Sequence, residues 1–253
     1  MTVRSFVSGI GLCLLASFPL LFGTDAAAAD EKMAGVWLIE KPVFEVRTTD
    51  GKRPPFKPEA AKLYEERIAA RQRGDTTFDS ATWCASPGIP RLMFIRTPFE
   101  IIVRPRHIAF VYEWNWWARV AYLRDTLPPE PQQPGPWGQA KSDSTYVVPG
   151  PVGGALARWD GDRLTIETSQ LIDTTLLDSA GMPHSDALKV IERLRLLSKD
   201  VLEDLIRIED PETFTQPWET RVTYRRQPAG TRIHEDVCLD RIRDGEPAIE
   251  EMP

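Results

Sequence analysis

The sequence predicts a mainly all-β protein, a meander of antiparallel strands preceded by one N-terminal helix and interrupted by one long Pro/Gly-rich loop. Two observations carry that prediction. From Phe99 onward apolar and polar residues alternate with period two through "FEIIVRP", "HIAFVYEWN", "WARVAYL", "GALARWDGDRLTIETSQL", "LKVIERLRLLS", "VLEDLIRIED", "WETRVTYRR" and "HEDVCLDR". Most of the gaps between these segments are short turn signals: Arg-Pro-Arg, Asp160-Gly161-Asp162, Ser198-Lys199-Asp200 and Asp210-Pro211-Glu212. Connections this short imply sequential antiparallel pairing. A meander of eight to ten strands closes into a barrel or packs as a sandwich, since an open sheet leaves unprotected edges.

Taken in order, the chain opens with Arg4, an apolar stretch from Phe6 to Phe22 and then "TDAAAAD". That is the pattern of a secretory signal peptide cleaved after Ala29. The apolar stretch is too short, and too soon followed by small and charged residues, for stable membrane insertion after cleavage. Leu12 before Cys13 fits a lipoprotein site poorly. Residues 1–29 are therefore expected to be a signal peptide and 30–253 a single β domain, periplasmic or secreted.

"GVWLIE" (35–40) reads as a first strand, and "KPEAAKLYEERIAARQRGD" as a helix with Pro58 near its start and Gly74 as its stop. Leu63, Arg67 and Ala70 give that helix only a narrow apolar face, so it should pack on the outside of something larger. The segment 127–154 is rich in Pro and Gly and is expected to be an irregular loop.

Composition excludes several classes. With 31 basic and 37 acidic residues the formal charge is −6, and no basic face for nucleic acid is expected. Beyond the leader two cysteines remain, Cys84 and Cys238. In an oxidising compartment they read as a disulfide, the alternative being two buried thiols. Two distant cysteines and three histidines make a metal site unexpected. There is no Gly-x-Ser-x-Gly elbow and no phosphate-cradling loop before a helix, and no cofactor is expected.

Three places could carry chemistry. On "LKVIERLRLL", Leu188, Val190, Leu194 and Leu196 share a face with Glu192. An acid aimed at an apolar interior costs several kcal/mol unless paired (about 2–7 for a polar group). Its reading is either an ion pair with an Arg of a neighbouring strand or a ligand-facing general base. A one-residue slip would exchange it with Arg193. His184 and Asp186, in "HSD", could exchange a proton near neutral pH or simply cap a turn. In "YEWNWWARVAYL", Tyr112, Trp114, Trp116, Trp117 and Tyr122 crowd about Glu113 and Arg119, which suits either the wall of an aromatic-ligand pocket or a packed core.

Together "WCASPGIPR", "PFEI", "ARWDGDRLTIET", "GMPHSDALKVIERLR", "IEDPETFTQPW" and "HEDVCLDR" resemble a family of exported, mostly uncharacterised bacterial proteins. The resemblance spans Trp37 to Arg241 and implies an antiparallel, lipocalin-like barrel; it implies no shared reaction. After Glu113–Arg119 the family pattern continues with a short Asp-Gly-Arg and His-Pro segment, where this chain has "LRDTLPPEPQQPGPWG".

Two functions follow as expectations. One is a cofactor-independent lyase or isomerase acting on a small aromatic substrate. Its concrete version is a retro-aldol cleavage of a lignin-derived phenolic dimer releasing an aldehyde such as formaldehyde. Glu192 or His184, with Asp186 beside it, would be the base. Arg119 would hold a phenolate, and Tyr112, Glu113, Trp116 and Trp117 would line the pocket. The other is a periplasmic binding protein for an apolar or aromatic ligand. Exposed edges at the Pro-rich loop leave room for a homodimer.

Overall fold

The computed structural model describes residues 32–125 and 149–249, so the expected signal peptide and most of the Pro-rich loop lie outside the described residues. Nine strands form one closed barrel in sequence order: β1 (Gly35–Ile39), β2 (Phe99–Arg104), β3 (His107–Tyr112), β4 (Ala118–Tyr122), β5 (Gly154–Asp160), β6 (Arg163–Ser169), β7 (Lys189–Ser198), β8 (Val201–Glu209) and β9 (Trp218–Arg226). The ring closes through β1 against β9. Closure removes the edges that an open meander would leave, and the barrel alternative, rather than the sandwich, is the one realised.

Tight two-residue turns join β2 to β3, β5 to β6 and β7 to β8, as the register pairs Arg104–His107, Asp160–Arg163 and Ser198–Val201 require. Gly161 takes a left-handed φ of 62° at the "DGD" turn, which explains why that position is glycine. One pairing departs from the expected meander. β4 and β5 run parallel, joined only at Ala121–Ala155 and Tyr122–Leu156. The Pro-rich segment is the connection between them. Parallel neighbours need such a long crossover, which a hairpin turn cannot supply.

The two-residue turns gather at one end of the barrel, and the β1–β2, β6–β7 and β8–β9 connections lie at the other. Between β1 and β2 the chain builds α1 (Pro58–Gln72) and two 3-10 turns, Ser80–Trp83 and Arg91–Met93. The helix was expected to present Leu63 to the protein. Instead Leu63 is exposed and Tyr64 is buried, its ring 5.3 Å from that of Phe56 and its hydroxyl donating to Asp178 at 2.7 Å. A buried phenol with a charged acceptor outweighs one leucine contact.

The last expected strand, "HEDVCLDR", is not one. Asp236 makes a single bridge to Trp114, and Cys238–Arg243 is a short helix, α2. Cys238 is its buried residue, fixed by a disulfide to Cys84 with Cα atoms 5.7 Å apart. The expected pairing is therefore present, but it ties the C-terminal segment to the β1–β2 insertion through a helix. No helix among the described residues is long and apolar enough to cross a membrane.

Inside the barrel, side chains stack in rows across strands. Ile166, Glu192, Ile206 and Thr220 form one row; Leu164, Leu194, Asp204 and Val222 form the next. All eight are buried. Alternation along β7 thus sends Glu192 inward and leaves Arg193 on the outer face, so the register expected from sequence is the one adopted.

Candidate functional site

Glu192 meets Arg119 of β4 inside the barrel. The guanidinium grips the carboxylate through both terminal nitrogens, Nη1 to Oε2 at 2.5 Å and Nη2 to Oε1 at 2.6 Å. Both side chains are sealed, with residue exposures of 2% for Arg119 and 0% for Glu192. Burial works against the Arg119 charge, but the Glu192 carboxylate outweighs it and raises the guanidinium above its ordinary value. A fork-on-fork pair is the strong geometry for such a contact. The Phe110 ring adds a cation–π face, its centroid 4.5 Å from Arg119 Cζ.

A second acid shares this interior. Asp204, on β8, stands opposite Leu194, one row along from Glu192 on the neighbouring strand, and is fully buried. Among the described residues neither Oδ1 nor Oδ2 receives a hydrogen bond from a side-chain or backbone donor that would satisfy a bare carboxylate. Burial, and then the negative charge of Glu192, push its carboxyl well above the usual range, with Arg119 offsetting part of this. The cluster therefore brings two acids and one guanidinium together in a buried interior, and only Glu192 is engaged by the guanidinium.

Two phenols close over it. The Tyr112 hydroxyl donates to Met93 Sδ at 2.9 Å, and the Tyr224 hydroxyl donates to the Met93 carbonyl at 3.1 Å. Burial comes first among the causes that keep both phenols protonated. Met93 belongs to the Arg91–Met93 turn, which enters the barrel from the elaborated end, and its sulfur also lies 3.9 Å from Arg119 Nη2. Phe99 packs edge-on to Tyr224 at 5.0 Å and beside Tyr112 at 5.7 Å. Arg119 Nε has no acceptor among the described residues.

The remaining residues singled out from sequence lie elsewhere. His184 is buried in the connection before β7. Its Nε2 lies 2.8 Å from Thr175 Oγ1 and its Nδ1 2.8 Å from the Ser185 carbonyl. Burial lowers its pKa, and the charges that act on it most are Asp210, Asp173 and Arg67, so it does not join the Glu192 cluster. Asp186 is exposed.

Glu113 accepts from the His234 backbone N–H at 2.9 Å, and Trp116 is half exposed. Both sit in the β3–β4 turn, where Asn115 and Trp116 take left-handed φ angles of 50° and 52°. Asn115 Oδ1 there accepts from Cys238 N at 2.8 Å. Trp117 is partly buried against the core. Of the four expected pocket residues only Tyr112 reaches Arg119 and Glu192. The crowding of aromatics in "YEWNWW" serves a tight turn pinned by the C-terminal segment more than a pocket wall.

Asp204, Tyr224 and Met93 were not foreseen. Asp204 had a usable signal: Leu202, Asp204, Ile206 and Ile208 alternate along β8 as Val190, Glu192 and Leu194 do along β7.

Cavities lined by described residues lie on the outside. One of about 610 Å³ runs over the outer face of β5–β7, lined by Leu156, Arg158, Ile191 and Arg193 among others. One of about 540 Å³ lies beside Cys84, with Trp83, Leu239 and Ile242. One of about 450 Å³ follows β8 along Asp210–Pro217. None of the three includes Arg119, Glu192 or Asp204.

No protein-family model matches this chain, and no curated protein matches it. Among solved structures, the chain is similar to a secretary abundant heat soluble (SAHS) protein from Ramazzottius varieornatus, from a dimer sample. That likeness covers 78% of this chain and 96% of the other at 12% identity with a TM-score of 0.30. A similarity of that size carries no function across.

Proposed function

We propose that the barrel is the body of an exported, cofactor-independent lyase that works by acid/base chemistry on a small aromatic substrate. The observation that carries this reading is the buried group of two acids and one arginine, walled by two phenols. Packing needs none of these charges, and apolar residues of similar volume commonly leave a fold equally stable or more so. Strongly perturbed titratable groups in a closed interior are a signature of catalytic sites.

The reaction that suits the group is the retro-aldol cleavage of a lignin-derived phenolic dimer bearing a hydroxymethyl arm and an aryl ether. Ether C–O cleavage, driven by the substrate's phenolate, leaves a quinone-methide-like ring and an oxygen that takes up a proton. Glu192 removes the hydroxymethyl O–H proton. The C–C bond then breaks, its electron pair forms the new C=C bond and returns the ring to the phenolate, and formaldehyde leaves. Arg119 steadies the phenolate with Nε while its two terminal nitrogens hold Glu192 in place. No oxidant or reductant is consumed. Substrate reaches the acids when the Met93 turn moves aside, a gating motion common in enclosed sites.

A binding role is the second reading, favoured by the outer groove over β5–β7, where Leu156 and Ile191 lie beside Arg158 and Arg193. The two are separated by incubating purified protein with a panel of phenolic dimers. Wild type should consume a dimer and release aldehyde; Glu192→Gln should bind that dimer, seen as tryptophan quenching, with turnover lower by about 100-fold or more. Binding without turnover in wild type leaves the binding protein.

A further inference from the structure

Two carboxyl groups and one guanidinium in a sealed space determine where a proton must sit. Glu192 engages both terminal nitrogens of Arg119, and Asp204 is left with no donor on either oxygen among the described residues. The groups whose charge or polarity acts on Asp204 come from four strands: Arg119 of β4, Glu192 and the Arg193 backbone of β7, Tyr112 of β3 and Tyr224 of β9. Both tyrosine hydroxyls are directed to Met93 and so are not spent on Asp204. Two bare carboxylates side by side in a dry interior repel, and a single arginine balances only one of them.

We propose that Asp204 and Glu192 share one proton at neutral pH, and that Asp204 bears it and donates it to the departing ether oxygen of the substrate. This rests on the acid/base reading above and assigns the acid that reading requires. As the C–O bond breaks, the oxygen leaves with the electron pair and takes the Asp204 proton, giving a phenol and an Asp204 carboxylate. The proton that Glu192 draws from the hydroxymethyl O–H then passes to the neighbouring Asp204 carboxylate and restores it. Each turnover so moves one proton from the alcohol to the ether oxygen, and the pair ends as it began. Such a pair titrates as a unit rather than as two independent acids.

Infrared difference spectroscopy on the full-length protein tests this. Wild type at neutral pH should show the carbonyl stretch of a protonated carboxylic acid. That band should vanish in Asp204→Asn, and also in Glu192→Gln, where Asp204 becomes the only partner of Arg119 and ionises. Absence of the band in wild type, or its survival in Asp204→Asn, overturns the proposal. If the variants do not fold, the wild-type band alone decides: it should persist well above the ordinary aspartate value of about 4, and bleaching there refutes the idea. For the donor role, Asp204→Asn should bind a phenolic dimer as wild type does yet turn over about 100-fold slower. An unaltered rate removes that role. A band in a wild type that turns over no dimer keeps the shared proton and removes the lyase reading and the donor role together.

Discussion

The barrel interior and the connections that cap its elaborated end both bury aspartates, and Asp79 and Asp210 of those connections are treated in the opposite way to Asp204 of the barrel. In the cap, Asp79 accepts from Arg91 through two bonds of 2.7 and 2.8 Å, from Arg71 at 2.6 Å and from Ala81 N at 3.1 Å. Asp210 accepts from Ser185 N, Ser185 Oγ, Glu212 N and Thr213 N. Burial raises each of these carboxyls, but their donors outweigh it and hold both below the ordinary value. In the barrel, Asp204 has no such donors and moves the other way. Asp79 and Asp210 are held ionised and fix the turns around them, whereas burial raises Asp178 despite its donors Val46 N, Tyr64 Oη, Gly181 N and Met182 N. The barrel acid is built to keep a proton. A buried polar group left unsatisfied by its own fold is a better pointer to chemistry than burial or charge alone.

The comparison breaks most sharply in the cap. Arg91→Met removes two of the four donors of Asp79 and leaves a buried carboxylate short of charge. Stability should fall by about 3 kcal/mol in denaturant unfolding. A loss below about 1 kcal/mol would mean that the cap pair is no more than a surface-like contact.

A smaller effect separates the two aspartates by pH. The folded value of Asp204 is raised, so the folded state keeps a proton that the unfolded chain releases above about pH 4. Stability contributed by that protonation is therefore lost as pH rises through this window. Asp204→Asn cannot lose it. Relative to wild type the variant should gain up to about 1.4 kcal/mol per pH unit as pH rises above about 4 toward the raised folded value. Unfolding curves at several pH values give the slope, and a slope of zero would place Asp204 among the satisfied acids.

Much of this architecture was legible in the chain. Period-two alternation with two-residue turns specifies sequential strands, and Glu192 stood out because one acid on an apolar face conflicts with its surroundings. Asp204 carried the same conflict on β8 but was passed over, since "VLEDLIRIED" places Glu203 beside it and blurs the pattern. The partner of Glu192 was legible only as a type, an Arg from some other strand. Which Arg depends on barrel closure, a long-range property. The Met93 turn was invisible for the same reason: nothing local in "PGIPRLMF" marks it as the plug of a barrel whose strands lie elsewhere in the sequence. "HEDVCLDR" misled because its short alternation also fits a helix turn with Cys238 buried. The left-handed turn within the aromatic run 112–117 was not legible, because composition alone does not reveal backbone conformation.

The idea on which the rest depends is that the interior holds one negative charge distributed over two carboxyls. A double-mutant cycle tests it through unfolding free energies of wild type, Glu192→Gln, Asp204→Asn and the double variant. Either single change leaves one acid to match Arg119, so each should lower stability by less than about 2 kcal/mol. The double change strands a buried guanidinium and should lower it by about 3–5 kcal/mol, more than the two single losses combined. Losses that simply add would show that Asp204 and Glu192 do not act as a pair, and would contradict the shared proton at the centre of the barrel.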